Sequence, residues 1–147
     1  MKKIFIYYSL TGNGDLVAKT LKEKKIDIYK VETSKPMPKS FFMQIFVGGF
    51  MALIKYKTKL LNFYVDISEY DEVIIGSPIW NDRISTPINE VLNKLDLSNK
   101  KLSFIFYSGS GQGNKAIKRI MNEYPHRQII ILKEPKKNPD FRKKLNC

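Results

Sequence analysis

A turn rich in hydroxyl groups and glycines follows the first apolar run of the sequence, at residues 4–8. It reads Ser9-Leu10-Thr11-Gly12-Asn13-Gly14-Asp15 and precedes a stretch with helical spacing. The turn offers free backbone N–H groups, the hydroxyls of Ser9 and Thr11, and the positive end of the following helix. These groups predict a phosphate-binding loop made of Ser9, Thr11, Gly12, Asn13 and Gly14.

Two other kinds of phosphate loop match this turn less well. A nucleoside triphosphate loop ends in Gly-Lys-Ser/Thr, whereas this one ends in Gly14-Asp15. A dinucleotide fingerprint fits the spacing of Gly12 and Gly14 and places an acid, here Glu32, near the end of the second strand. However, Val17 stands where that fingerprint has its third glycine, and the fingerprint does not need the hydroxyls of Ser9 and Thr11. A nicotinamide- or other nucleotide-binding module therefore stays the second interpretation.

A second glycine-rich segment follows the fourth apolar run. Three glycines within five positions, 109–113, let main chain approach a flat ligand without interference from a Cβ atom. The segment is predicted to bind ligand through Ser108, Gly109, Ser110, Gly111, Gln112 and Gly113.

Alternating strands and helices must position these loops. The apolar runs predict strands at 4–8, 26–31, 72–75, 102–107 and 128–132, and the helical patterns lie at 15–25, 87–95 and 114–124. Asn138 and Pro139 predict the N-cap and first-turn proline of a short last helix. Five strands alternating with helices indicate a doubly wound parallel sheet, in which ligands bind at the carboxyl ends of the strands.

The least regular segment is 33–66. Its apolar side chains predict a second helix, broken at Gly48 and Gly49, whose aromatic residues are buried in the core, line a ligand or form a dimer contact.

Length and composition exclude several classes of protein. A chain of 147 residues with 43% apolar and 27% charged residues is expected to form a single globular domain, 1–147. Cys147 and His126 are the only cysteine and histidine, which excludes a disulfide framework and a cysteine-rich metal site, so a redox role requires an organic cofactor. The apolar amino-terminal run is too short for a signal peptide or a membrane span, which predicts a cytoplasmic protein.

The net charge of +12 raises nucleic acid, membranes and acidic proteins as partners. The basic residues scatter from Lys2 to Lys144 in short runs, without a nucleic-acid motif beside them. This distribution favours a solvated basic surface and disfavours nucleic acid as a partner.

The loops resemble those of the flavodoxin family. Ser9, Thr11, Gly12 and Asn13 match the family's phosphate loop, Ser/Thr-x-Thr-Gly-x-Thr, with Gly14 where a hydroxyl residue is usual. Gly76-Ser77-Pro78-Ile79-Trp80-Asn81 is similar to the family's second flavin loop, in which Trp80 would stack on the flavin ring or form its lip. An ordinary, partly buried tryptophan is the alternative for Trp80. The segment 108–113 resembles the third flavin loop.

This resemblance implies a three-layer fold with strand order 2-1-3-4-5, non-covalent FMN, and electron transfer as a one-electron carrier or a small flavin-dependent oxidoreductase. From the second loop, Ser77, Pro78, Ile79, Trp80 and Asn81 are implied to bind the cofactor. No catalytic acid or base and no metal are implied. Many flavodoxins are acidic, so this basic chain is expected to use different, acidic redox partner proteins. The short last helix would leave one sheet face available for a homodimer. A flavodoxin fold used for non-redox binding is a further alternative.

Overall fold

The structure is a computed structural model that describes residues 1–34, 47, 50, 58–125 and 127–145. The predicted helix within 33–66 falls almost wholly outside these residues, as do His126 and Cys147.

The strands are β1 (Lys3–Tyr7), β2 (Asp27–Lys30), β3 (Glu72–Trp80), β4 (Arg83–Ile84), β5 (Lys101–Ser108) and β6 (Arg127–Lys133). The helices are α1 (Asn13–Glu23), α2 (Thr86–Lys94), α3 (Asn114–Glu123) and α4 (Phe141–Lys144). Among the described residues, no helix is long and apolar enough to cross a membrane.

Five of these strands form a parallel sheet in the order β2-β1-β3-β5-β6, and the two-residue β4 pairs antiparallel with the end of β3. Without β4, this order is 2-1-3-4-5, which confirms the predicted topology. Tyr7 lies opposite Gly76, and Pro78 lies opposite Tyr107, so β1, β3 and β5 end at the same edge.

Helices cover both faces of the sheet. On one face, Val17 of α1 and Phe141 of α4 pack in a buried cluster with Phe5. On the other face, Ile88 of α2 and Ile120 of α3 pack with the buried side chains of the same strands. Because the central strands are covered on both sides, their sequences are nearly continuous apolar runs.

Strand β3 extends to Trp80, five residues beyond the predicted end at 75. Gly76 O accepts a hydrogen bond from Tyr8 N (3.2 Å), so the backbone of Gly76 faces β1. The backbone nitrogen of Pro78, two residues later, faces the same side but lies beyond the end of β1. Proline is tolerated there because no partner strand needs its missing N–H group. Asn81 and Asp82 then have positive φ angles of 48° and 62°, as a two-residue hairpin turn requires. The segment predicted to leave the strand as a loop is therefore largely hairpin.

The last helix begins at Phe141, and the predicted N-cap at Asn138 is wrong. The Asn138 side chain instead donates to the carbonyl oxygens of Lys133 (2.9 Å) and Glu134 (3.3 Å). It thus closes the turn after β6. Helix α1 also differs in its bounds, since it begins at Asn13, inside the glycine-rich turn.

A buried carboxylate stabilises the amino ends of the central strands. Glu72 is 3% exposed, accepts a hydrogen bond from Ser103 Oγ (2.6 Å), and lies 3.0 Å from Lys3 Nζ. Burial raises the pKa of Glu72, but the contacts with Ser103, Lys3 and Lys101 outweigh it and hold the pKa below its ordinary value of 4.5. The ionised carboxylate therefore stabilises the fold above that pH.

Replacing Glu72 with Gln should lower the free energy of unfolding at neutral pH by about 1.5–3 kcal/mol, the range for a hydrogen bond to a charged group. A carboxyl group whose pKa is lower in the folded than in the unfolded state stabilises the fold at pH values above its unfolded pKa. That stabilisation is lost as the pH falls through the folded pKa. The difference between wild type and Glu72→Gln should therefore shrink below pH 4.5, as measured by denaturant unfolding. Glu69→Gln, which removes an exposed partner of Lys2, is the control and should have little effect. A difference that persists in acid would contradict the role of the Glu72 charge.

Candidate functional site

A cleft opens at the carboxyl ends of β1, β3 and β5, with about 720 Å³ of empty space that is partly open to solvent. Nine of the predicted site residues line it: Ser9, Thr11, Asn13, Pro78, Ile79, Trp80, Asn81, Ser108 and Gly109. The structure thus brings all three predicted loops together. The remaining predicted residues are not in its lining: Gly12, Gly14, Ser77, Ser110, Gly111, Gln112 and Gly113.

The first loop forms the amino-terminal turn of α1. Gly12 precedes the helix with a φ angle of 93°, which favours glycine, and Gly14 N donates to Ser9 Oγ (3.1 Å). Within the described parts of the chain, the backbone N–H groups of Thr11, Gly12, Asn13 and Asp15 have no hydrogen-bond acceptor. Unpaired amides at a helix amino terminus are suited to bind an anion.

Gly14 is buried against a tyrosine. A Cβ atom at this position would lie 2.5 Å from Tyr107 Oη and 2.9 Å from Ser9 Cβ. Tyr107 Oη donates to Tyr8 O, and burial raises the pKa of Tyr107 well above its usual range. The Tyr107 hydroxyl, from β5, therefore occupies the space that a side chain at position 14 would need, the position at which the flavodoxin pattern has a hydroxyl residue.

Ser77 has a structural role in the second loop. It is fully buried, and its Oγ accepts a hydrogen bond from Ser85 N (3.1 Å) and lies 2.9 Å from Ser85 Oγ. These contacts join β3 to the segment that follows β4. Ser77 therefore positions the cleft-lining residues after it and does not itself reach the cleft.

Trp80 is largely buried and also lines the cleft. It is only 8% exposed and packs edge-on against Tyr8, with ring centroids 5.8 Å apart, yet it also lines the cleft. The turn of the β3–β4 hairpin contacts the start of α3, where Asp82 Oδ2 accepts a hydrogen bond from Lys115 N (3.2 Å). Its stacking on a flavin stays a prediction.

The third loop approaches the cleft through Ser108 and Gly109. Ser108 is 9% exposed, and its Oγ is buried without a hydrogen-bond partner among the described residues. An unpaired buried hydroxyl is costly, which makes Ser108 a candidate to contact a polar group of a ligand in the cleft. Gly113 instead packs under the hairpin, where a Cβ atom would lie 3.2 Å from Ile79 Cγ1.

Sequence reasoning missed three cleft residues: Leu10, Tyr107 and Glu134. Glu134 follows β6, and its carboxylate lies 3.0 Å from Lys137 Nζ. Its position after a parallel strand was the available signal, since every such strand ends at the ligand edge of the sheet.

Because Tyr107 fills the space beside Gly14, Gly14→Ala should lower the free energy of unfolding by about 1–3 kcal/mol through overpacking. In a Tyr107→Leu background the same substitution should cost less, by about 0.5 kcal/mol or more, as a double-mutant cycle would measure. Gly109→Ala is the matched control and should have little effect, because a Cβ atom there meets nothing within 4 Å. Equal costs of Gly14→Ala in both backgrounds would show that Tyr107 is not the obstacle.

Comparisons by sequence give no assignment, since no protein-family model and no curated protein matches this chain. Solved structures do resemble it. A candidate flavoprotein from Bacteroides eggerthii DSM 20697 superposes with a TM-score of 0.74 at 18% identity, over 99% of this chain and 98% of that one. A flavoprotein from Lactobacillus acidophilus NCFM, crystallised in complex with FMN, superposes with a TM-score of 0.71 at 18% identity, over 92% of this chain and 95% of that one.

A flavodoxin from the domain Archaea covers 99% of this chain and 93% of its own, with a TM-score of 0.52 at 15% identity. These likenesses concern the arrangement of the chain. Together with the strand order and the helices on both sheet faces, they show that the protein has a flavodoxin-like fold.

Proposed function

We propose that this protein binds FMN in the cleft and transfers electrons through it. The observation that carries the proposal is that unsatisfied polar groups lie on two sides of the cleft. One wall has the unpaired amides at the start of α1, and the other has the unpaired Ser108 hydroxyl. The flavoprotein from Lactobacillus acidophilus with the same fold was crystallised with FMN, which supports this ligand.

The groups in the cleft fit the two chemically different parts of FMN. The first loop would hold the phosphate through its amides and the Thr11 hydroxyl. Pro78, Ile79 and Trp80 would supply apolar surface for a flat ring, and Ser108 would supply a polar contact. When bound, FMN would supply the electron-transfer chemistry. The protein would then contribute binding, orientation and electrostatics.

The side chains of the cleft agree with a cofactor that carries the chemistry. Among the described residues that line it, Glu134 alone has a charged side chain, and that carboxylate is paired with Lys137. We interpret the protein as a carrier or a small oxidoreductase. Its net charge of +12 favours acidic redox partner proteins, because opposite charges speed association.

A nucleotide-binding module is the second candidate, and one position disfavours it. Val17 replaces the third glycine of the dinucleotide fingerprint, which allows a helix to pack closely on its strand. In this structure Val17 is fully buried on the sheet-facing side of α1. A valine filling that space argues against the close helix packing of a dinucleotide site.

Titration of the cofactor-free protein with FMN tests the proposal. Trp80 is the only tryptophan and lines the cleft, so its fluorescence should be strongly quenched on binding and recover when FMN is removed. The bound flavin should also be reducible and pass its electrons to ferricyanide. Binding of NADH without FMN binding would favour the nucleotide module, and FMN binding without electron transfer would favour a non-redox role.

Thr11→Ala should weaken FMN binding by about 1–2 kcal/mol, because the phosphate loses a hydrogen bond from the hydroxyl. Riboflavin lacks the phosphate, so its affinity should be nearly unchanged, and both affinities can be measured by flavin fluorescence. Ser98→Ala, which removes an exposed hydroxyl before β5, is the control and should affect neither ligand. Equal losses for FMN and riboflavin would place the phosphate elsewhere.

A further inference from the structure

A lysine from a distant part of the sequence lies over the first loop. Lys136, in the turn after β6, donates from its backbone N–H to Asn13 Oδ1 (3.0 Å) and from Nζ to Thr11 O (2.9 Å). Its Nζ is also 3.6 Å from the position that a Cβ atom of Gly12 would occupy. Although the loop itself contains no basic residue, the fold places an ammonium group on it.

No carboxylate among the described residues pairs with the charge of Lys136. Within residues 1–34, 58–125 and 127–145, no carboxylate lies within 4.0 Å of its Nζ, and its acceptor is the neutral carbonyl of Thr11. Two neighbouring lysines are paired, Lys137 with Glu134 and Lys143 with Asp140, at 3.0 Å each. Lys136 is therefore held beside the loop by hydrogen bonds from its backbone N–H and its Nζ, and not by an ion pair.

The position of Lys136 is also electrostatically unfavourable without an anion. It lies at the amino terminus of α1, where the aligned peptide dipoles produce a positive potential that disfavours a cation. The unpaired amides of Thr11, Gly12 and Asn13 carry much of this potential. A dianion at the loop would reverse the balance, since it would be attracted by the helix terminus and by the ammonium group together.

We propose that Lys136 is a ligand of the FMN phosphate and makes the cleft selective for the phosphorylated flavin over riboflavin. This inference depends on the proposed function. On binding, Nζ exchanges the Thr11 carbonyl for a phosphate oxygen, while the contact between Lys136 N–H and Asn13 keeps the two loops together. The phosphate then contacts groups from two segments more than a hundred residues apart in the sequence.

The test compares FMN and riboflavin binding by wild type and Lys136→Gln. Lys136→Gln should weaken FMN about tenfold, as expected for one charge-assisted hydrogen bond, and leave riboflavin unchanged. Raising the salt concentration should weaken FMN binding more in wild type than in the variant, because it screens the ammonium group. Lys136→Arg keeps the charge and should stay within about threefold of wild type. Lys143→Gln loses the same charge on α4 and should bind FMN like wild type.

The outcomes separate this inference from the proposed function. If wild type binds FMN and Lys136→Gln binds it equally well, Lys136 is not a phosphate ligand and the FMN function stands. If the affinities for FMN and riboflavin fall equally in Lys136→Gln, Lys136 only stabilises the conformation of the loop, which also overturns the inference. If wild type binds no FMN, both proposals fail.

Discussion

The parallel pairing of β3 with β1 on one side and β5 on the other is the interaction on which the cleft depends. It holds Tyr7 opposite Gly76 and Pro78 opposite Tyr107, so three loops leave the sheet at one edge. A Cβ atom at Gly76 would collide with the ring of Phe5, so the strands approach in this register only with glycine there. A slip by one residue would exchange the buried faces of β3. The cleft is therefore a consequence of the core packing.

The acidic residues just before and at the start of β3 lie at the end of that strand opposite the cleft. Glu69 pairs with Lys2, Asp71 accepts from Lys2 N (2.6 Å), and Glu72 pairs with Lys3, all at the amino end of β3. At the other end, Glu134 is paired with Lys137 and Asp82 caps α3. These carboxylates are engaged with other groups, and the Lys136 ammonium contacts the Thr11 carbonyl instead.

The sheet and its ligand edge could be predicted from sequence, because strands covered on both faces are continuous apolar runs and their carboxyl ends coincide. The hairpin after Trp80 was missed, since only the Asn81-Asp82 turn signals it and β4 has two residues. The roles of Ser77 and Lys136 rest on partners elsewhere in the chain, and no local pattern reports them. The stacking role of Trp80 could not be decided either, because one side chain serves both core and cleft.

The contact between Gly14 and Tyr107 also constrains how this sequence can change during evolution. The two positions are 93 residues apart, yet the hydroxyl of one occupies the volume that any larger residue at the other would need. A hydroxyl residue at position 14 would require a smaller residue at position 107, because either change alone would overpack the loop or leave a cavity beneath it. Residues 14 and 107 are thus expected to change together among related sequences.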